Sequence, residues 1–173
     1  NTKKAIRKEI SKAVGEDGVQ KSIQEINTQV ESGNITPQEA EVLGGKVQEY
    51  AEIAGKIPKD LNEETKYAII GGIEQRNEVQ AEIEKVKQSA QGIDEAFLPE
   101  KQAEIKVLEG KLGQINDYLE SIVSDKGLPN YIQEGDKFYK VVVDGRQSTK
   151  TEITKEHFDI AQLIKSNEDK KQK

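Results

Sequence analysis

Apolar residues recur along the first 58 residues at the three- and four-residue intervals of amphipathic α-helices. Gly15 and Gly18 interrupt this pattern once, and Ser32-Gly33-Asn34 interrupts it again, because glycine and asparagine tolerate the left-handed conformation that ends helices. Thr36-Pro37-Gln38-Glu39 then supplies a cap, a proline at the first helical position and a capping box. The short turn predicts that the flanking helices pack antiparallel, so residues 1–58 form an N-terminal helical hairpin region that ends at Pro58.

A longer pattern of alternating three- and four-residue steps occupies residues 59–126. Asp60 or Asn62 can cap its first helix. The apolar seam of that helix comprises Ile69, Gly72, Arg76, Val79, Ile83, Val86, Ala90, Ile93 and Phe97. Leu98-Pro99 interrupts the seam because proline disfavours a helical residue before it. The alternating three- and four-residue spacing resumes with Ile105, Leu108, Leu112, Ile115, Leu119 and Ile122.

This pattern predicts a coiled-coil-like antiparallel hairpin, with residues 61–97 packed against residues 99–124 and with Phe97 and Leu98 at its tip. Equal distances from that tip give the expected contacts: Ala90 and Ile93 with Ile105, Val86 with Leu108 to Leu112, and Val79 with Ile115 to Leu119.

The pattern changes to strand-forming residues in the segment 127–165. Phe138 to Val143 predicts a strand, Asp144-Gly145 predicts a hairpin turn, and a partner strand reaches about Ile153. Thr154 is placed to cap a final helix, with Ile153 and Phe158 forming a hydrophobic staple. Residues 166–173 predict a frayed, charged tail. The fold class is therefore mainly α: antiparallel helical hairpins, with a small C-terminal β-hairpin plus helix.

Composition agrees with long helices that bury a narrow apolar seam. Charged residues make up 34% of the chain and aromatic residues only 5%, which is little material for a thick core. The net charge of −6 repels a polyanion, so we expect no specific nucleic-acid binding. No apolar run approaches the length of a membrane span, and the absence of cysteine excludes disulfides and thiolate chemistry.

The candidate residues for chemistry favour structural interpretations. His157 lies beside Glu156 and Asp159 without partners at metal or catalytic spacing, so we interpret it as a solvated surface residue. Acidic residues such as Glu74, Glu78, Glu82 and Glu84 lie off the seam and predict a solvated helix face. We therefore expect no catalytic residues, no cofactor and no metal ligands.

Glycine pairs and basic residues are interpreted in the same way. Gly44-Gly45-Lys46 and Gly71-Gly72 lack the remaining residues of a phosphate-binding loop and lie inside helical patterns. Gly72, on the seam, predicts a kink or a close helix crossing. Arg76 either extends its stem over apolar surface or pairs with an acid of the other arm, such as Asp117 or Glu120.

The basic residues near the two ends predict ordinary solvated tails; they are Lys3, Lys4, Arg7, Lys8, Lys170, Lys171 and Lys173.

One stretch of the chain resembles a known class of proteins. It contains Ile35-Thr-Pro-Gln-Glu-Ala-Glu41, Tyr50-Ala-Glu-Ile-Ala-Gly-Lys-Ile-Pro58 and Lys59-Asp-Leu-Asn-Glu-Glu-Thr-Lys66. It continues with Ala68-Ile-Ile70, Glu74-Gln-Arg76, Asp94-Glu-Ala-Phe97 and Ile115-Asn-Asp-Tyr-Leu119. About half of the chain thereby resembles a helical segment of the large multi-module proteins of tailed bacteriophages, particularly crAss-like phages. The resemblance implies an internal or cargo protein that is packaged in the virion and delivered with the genome.

These observations together lead to an expected function. We expect a non-catalytic structural or interaction module, a fragment of a phage internal virion protein that packs against copies of itself or against other virion proteins. Its expected location is the particle interior or tail, from which it would be delivered to the bacterial cytoplasm. Because the chain begins at Asn1 and not at methionine, we interpret it as a piece of a longer protein. Two alternatives remain open: a cellular coiled-coil adaptor or spacer, and an accessory helical region of a larger polypeptide that contains an enzyme.

Overall fold

The computed structural model describes residues 2–172 of the chain, and side chains within residues 6–168. In that part the order of elements is α1 (Thr2–Ile10), α2 (Gly15–Glu31), α3 (Pro37–Gly55), α4 (Glu63–Ser89), α5 (Leu98–Ser124), β1 (Asn130–Glu134), β2 (Lys137–Asp144), β3 (Gln147–Ile153) and α6 (Lys155–Gln172). A single 3-10 turn, Glu95–Phe97, precedes α5. The mainly α fold class predicted from the sequence is confirmed.

The N-terminal helices follow the predicted capping chemistry. The Thr36 hydroxyl accepts a hydrogen bond from the Glu39 amide at 3.1 Å, and the Glu39 carboxylate accepts one from the Thr36 amide at 3.1 Å. Asn62 is the cap of α4, since its side-chain oxygen accepts from the Thr65 amide at 2.8 Å. α2 packs against α3, and the turn between them passes through Gly33 at φ +78°. These contacts explain why α3 and α4 begin where they do.

Gly18 was expected to interrupt the helical pattern, but it lies inside α2, which already begins at Gly15. A Cβ at Gly18 would stand 2.8 Å from the carbonyl oxygen of Lys12. The missing side chain therefore allows the end of the α1 segment to cross α2 closely.

The long hairpin is present, with α4 packed along α5. The expected position of its tip was wrong, because α4 ends at Ser89 and Ala90–Asp94 forms the turn. Gly92 adopts φ +73° there, a conformation that glycine tolerates and that stops the helix. Ala90, Ile93 and Phe97 consequently lie outside α4, and the Phe97 side chain is 59% exposed.

The hairpin has two structurally different halves. The half of the hairpin nearest the other elements is here called the base, and it comprises the parts of α4 and α5 outside residues 80–114. In the base α4 is buried on all sides, since every residue from Ala68 to Ile73 is buried. α3 and α6 pack on α4, α6 also packs on α5, and Ile115 and Ile122 of α5 complete the core. In residues 80–114, here called the arm, Ile83 is the single buried residue. The arm is therefore two helices packed on each other around a thin seam.

The C-terminal region contains one more strand than the sequence analysis predicted. β1, β2 and β3 form an antiparallel sheet in that order, with Tyr131 opposite Lys140 and Phe138 opposite Ile153. Phe158 packs on Phe138 with ring centroids 4.8 Å apart, which attaches α6 to the sheet.

The predicted frayed tail was also wrong for residues 166–172, because α6 continues as helix to Gln172. Lys173 and the side chains of Lys170 and Lys171 lie outside the described residues.

Candidate functional site

His157 lies where α6, α5 and the sheet meet. The Thr154 hydroxyl accepts a hydrogen bond from the His157 amide at 3.1 Å, which fixes the residue in the first turn of α6. Its ring centroid is 6.1 Å from that of Tyr118 on α5 and 5.8 Å from that of Tyr131 on β1. The side chain is half-buried, so the expectation of a solvated surface histidine was wrong. The sequence could not show this because Tyr118 and Tyr131 approach only through the packing of the sheet on α5.

Two polar atoms of these rings are buried. His157 Nε2 and the Tyr131 hydroxyl are both buried without a hydrogen-bond partner among residues 6–168. Burial lowers the pKa of His157, and Lys140 lowers it further, while Asp117 and Asp125 oppose the shift. Burial likewise raises the pKa of Tyr118 and of Tyr131. All three rings are therefore uncharged at neutral pH.

A polar group beside these rings fastens the sheet to the base. Lys140 of β2 donates to Asp125 Oδ2 at 2.8 Å and to the Ser121 hydroxyl at 3.1 Å. Ser121 in turn donates to the same Asp125 oxygen at 3.1 Å. The three side chains are mostly buried and join the end of α5 to the central strand of the sheet.

Arg7 forms a second buried charged group, the Arg7 network, with Glu74 and Glu168. The Arg7 guanidinium lies 3.1 Å from Glu74 Oε1 on α4 and 2.5 Å from Glu168 Oε2 on α6. Lys46 of α3 approaches Glu74 at 4.0 Å. Arg7 is 6% exposed, so the expectation of a solvated basic tail was wrong for this residue, as was a solvated position for Glu74. Because Arg7 and Glu168 are 161 positions apart, no local spacing in the sequence indicates their contact.

Arg76 pairs with Glu49, which is neither of the two partners predicted for it. Its guanidinium lies 2.6 Å from Glu49 Oε2 on α3, rather than beside Asp117 or Glu120 of α5. Of the acidic residues singled out from the sequence, Glu78 accepts a hydrogen bond from Gln75 at 3.0 Å. Glu82 and Glu84 are exposed, as expected for a solvated helix face. The structure thus distributes these four carboxylates instead of bringing them together.

The glycine pairs have different surroundings. A Cβ at Gly72 would lie 2.6 Å from Leu119, and one at Gly71 would lie 2.7 Å from Ile164. These distances confirm the predicted close helix crossing at Gly72 and add a second crossing, with α6. Gly44 and Gly45 lie inside α3, and a Cβ at either would meet nothing within 4 Å.

An apolar groove of about 470 Å³ runs beside α1, between α3 and α4. Ile6, Ile10, Ile35, Leu43 and Ile70 line it. The charged groups at its rim make contacts within the protein: Glu39 in the capping box, and Lys46 with Glu74. The groove can accept apolar groups, and its rim charges are already used in packing.

Two further properties concern the described residues 2–172. Among the side chains of residues 6–168, no three acidic or histidine side chains converge to hold a metal ion. None of the helices there combines the length and the apolar character that crossing a bilayer requires.

The fold and its buried contacts define a mainly helical protein with a two-helix arm and a small antiparallel sheet. Comparison of the chain with protein-family models, curated proteins and solved structures finds no match.

Proposed function

We propose that this chain is a non-catalytic structural and interaction module of a phage internal virion protein. The observation that carries the structural part is the use of buried polar side chains. The Arg7 network joins α1, α4 and α6, and Lys140 joins β2 to α5. Such groups are costly to bury and are tolerated when they are paired. Here their role is to hold separate elements in fixed positions.

Three buried or half-buried neutral hydrogen bonds support the same proposal. The Tyr50 hydroxyl donates to the carbonyl oxygen of Ser11 at 3.0 Å, and Ser22 donates to that of Glu9 at 3.1 Å. The Leu128 amide donates to the Thr65 hydroxyl at 3.1 Å. Each bond connects different elements or connecting segments, and burial raises the pKa of Tyr50 to about 12, so its hydroxyl stays protonated as a donor. These groups fasten the ends of helices, which suits a module that presents surfaces in fixed positions.

The assignment to a virion rests on the resemblance of residues 35–122 to helical segments of tailed-phage internal proteins. It is tested by peptide mass spectrometry of density-purified particles of the phage whose genome encodes the chain. We expect peptides of this chain to co-purify with the major capsid protein through repeated gradients. Host ribosomal proteins, which should disappear over the same gradients, are the contamination control. Peptides present in the infected-cell lysate but absent from the particles would refute the virion assignment.

A further inference from the structure

One face of α5 in the arm, here called the outer face, is centred on Val107. At 100° per residue, it comprises Glu100, Ala103, Glu104, Val107, Gly110, Lys111 and Gln114. The opposite side of the helix carries Ile105, Leu108 and Leu112, which pack toward the core. Val107 lies at the centre of the outer face and is 73% exposed. Within the described chain all of these residues except the half-buried Gln114 are exposed, and the centre of the face is apolar.

Like Gly113 of the same helix, Gly110 makes room for no neighbouring side chain or backbone within the described part of the chain. It lies inside a 27-residue helix, where glycine costs about 1 kcal/mol relative to alanine. A Cβ there would meet nothing within 4 Å, whereas Gly71 and Gly72 make room for Ile164 and Leu119. A glycine on an exposed helix face allows the backbone of another helix to approach closely.

The charges of the outer face are self-complementary in one orientation only. Glu104 precedes Val107 by three residues and Lys111 follows it by four, so the two charges lie on opposite sides of the valine along the axis. In an antiparallel pair of α5 helices centred on Val107, Glu104 of each copy faces Lys111 of the other, and Ala103 faces Gly110. A parallel pair would instead place Glu104 against Glu104 and Lys111 against Lys111, which is repulsive. Two-fold symmetry is also the commonest arrangement of homodimers.

We propose that the outer face of α5 binds a second copy of this chain, with the two α5 helices antiparallel about Val107. The contact involves one helix face per copy, so its area is small and the association is weak and reversible. Among the described side chains, Glu104 forms an ion pair only with Lys101, at 4.0 Å on the same helix, so its carboxylate is available to the partner. This inference extends the proposed function by naming a partner, and it does not depend on the virion assignment.

Sedimentation equilibrium of the full chain at low ionic strength tests the proposal. We expect a concentration-dependent monomer–dimer equilibrium that weakens as salt is added, because the paired charges are exposed to solvent. Val107→Asp should abolish the dimer. Val143→Asp is the matched control, since Val143 is a 62% exposed valine on the sheet and should leave the equilibrium unchanged. A chain that remains monomeric at all concentrations, or a dimer that survives Val107→Asp, would overturn the proposal.

Charge reversal tests the orientation of the pair. Glu104→Lys and Lys111→Glu should each weaken dimerisation at least about tenfold, because each places like charges in contact twice. The double variant should restore it, since the pairs then re-form with their signs exchanged. Failure of the double variant to recover dimerisation would exclude the antiparallel arrangement. Circular dichroism of every variant verifies the fold, which exposed substitutions should not disturb.

A pair of glycines tests the close approach. Gly110→Ala should weaken the dimer, whereas Gly113→Ala should not, because Gly113 lies about 120° around the helix from Val107. Both substitutions favour the helix in the monomer, so helix propensity cannot account for a difference between them. Equal dimer affinities of the two variants would contradict a contact through Gly110. Particle mass spectrometry is a separate measurement, so a failed virion assignment and a failed dimer are distinguished.

Discussion

The base and the arm belong to the same two helices and carry the same alternation of three- and four-residue apolar steps, yet their burial differs sharply. In the base, α3, α6 and the sheet surround the hairpin, and Ile69, Ile115 and Ile122 have no exposed surface. In the arm the same kind of position, such as Leu112 or Val86, is only half-buried. A heptad pattern thus identifies which residues face the partner helix. The packing of further elements on that helix pair decides how much free energy these residues contribute.

Truncation of seam residues should reproduce this difference. Ile115→Ala in the base should lower the free energy of unfolding by about 4 kcal/mol, because it leaves a cavity in a closed core. Leu112→Ala in the arm should cost about 2 kcal/mol, since the site is already partly solvated. Urea denaturation followed by circular dichroism measures both. Glu109→Ala, on the polar face, is the control and should stay within about 0.5 kcal/mol. Equal losses at Ile115 and Leu112 would mean that the arm is as well enclosed as the base.

Glycine replacement should have opposite signs in the two halves. Gly72→Ala should destabilise the protein by about 2 kcal/mol, because the added methyl group would stand 2.6 Å from the buried Leu119. Gly113→Ala should stabilise it by about 1 kcal/mol, since it adds helix propensity in open space. Thermal melting of both variants at a concentration where the chain is monomeric provides the comparison. A stabilising Gly72→Ala would show that the base can expand and is not tightly packed.

Acidification should weaken the base before the arm. The folded-state pKa of His157 is lowered below the unfolded value of 6.5, so its contribution to stability is complete above that value and is lost as the pH falls. Between about pH 7.5 and 5.5 we expect urea midpoints to fall, and His157→Phe to reduce that fall, because phenylalanine keeps an uncharged ring in place.

Hydrogen exchange locates this effect within the molecule. After correction for intrinsic rates, amides of β1 and β2 should lose protection over the same pH range, while those of α5 in the arm should change little. Loss of protection that begins in the arm would contradict the assignment of the effect to His157.

The smallest effect is expected at the end of the arm. Phe97→Ala should change the free energy of unfolding by less than about 0.5 kcal/mol, because most of the ring is already in water. Guanidinium unfolding of the variant measures it. A loss of free energy as large as that of Leu112→Ala would show that Phe97 packs in the apolar seam, as the sequence pattern predicts.

Local signals predicted most of the helices and their caps. Thr36, Glu39 and Asn62 act through neighbours three residues away, and the close crossing at Gly72 follows from a glycine on the seam. The end of α4 was missed because the three- and four-residue spacing of apolar residues continues through Ala90 and Ile93. The helix ends at the positive φ of Gly92, and a single glycine is a weak signal in the sequence. β1 was missed because polar and apolar residues alternate only weakly over its five residues, and its strand conformation depends on pairing with β2.

The buried polar groups were not predictable from spacing. Arg7 and His157 each have charged neighbours in sequence, which is the usual sign of a solvated face, whereas Lys140 lies among the apolar residues of β2. Their partners come from other elements: Glu74 and Glu168 for Arg7, Tyr118 and Tyr131 for His157, and Asp125 for Lys140. Long-range contacts of this kind follow from the three-dimensional arrangement and produce no periodic pattern in the sequence.

The contact of Arg7 with Glu168 has a mechanical consequence. It joins the first helix to the last by a side-chain ion pair, and both helices rest on α4. Tension applied between α1 and α6 therefore loads this ion pair and the packing of the two helices on α4. The arm lies outside that line of force. Under such a pull, α1 and α6 should peel away first, and the α4–α5 hairpin should keep its shape until they have detached.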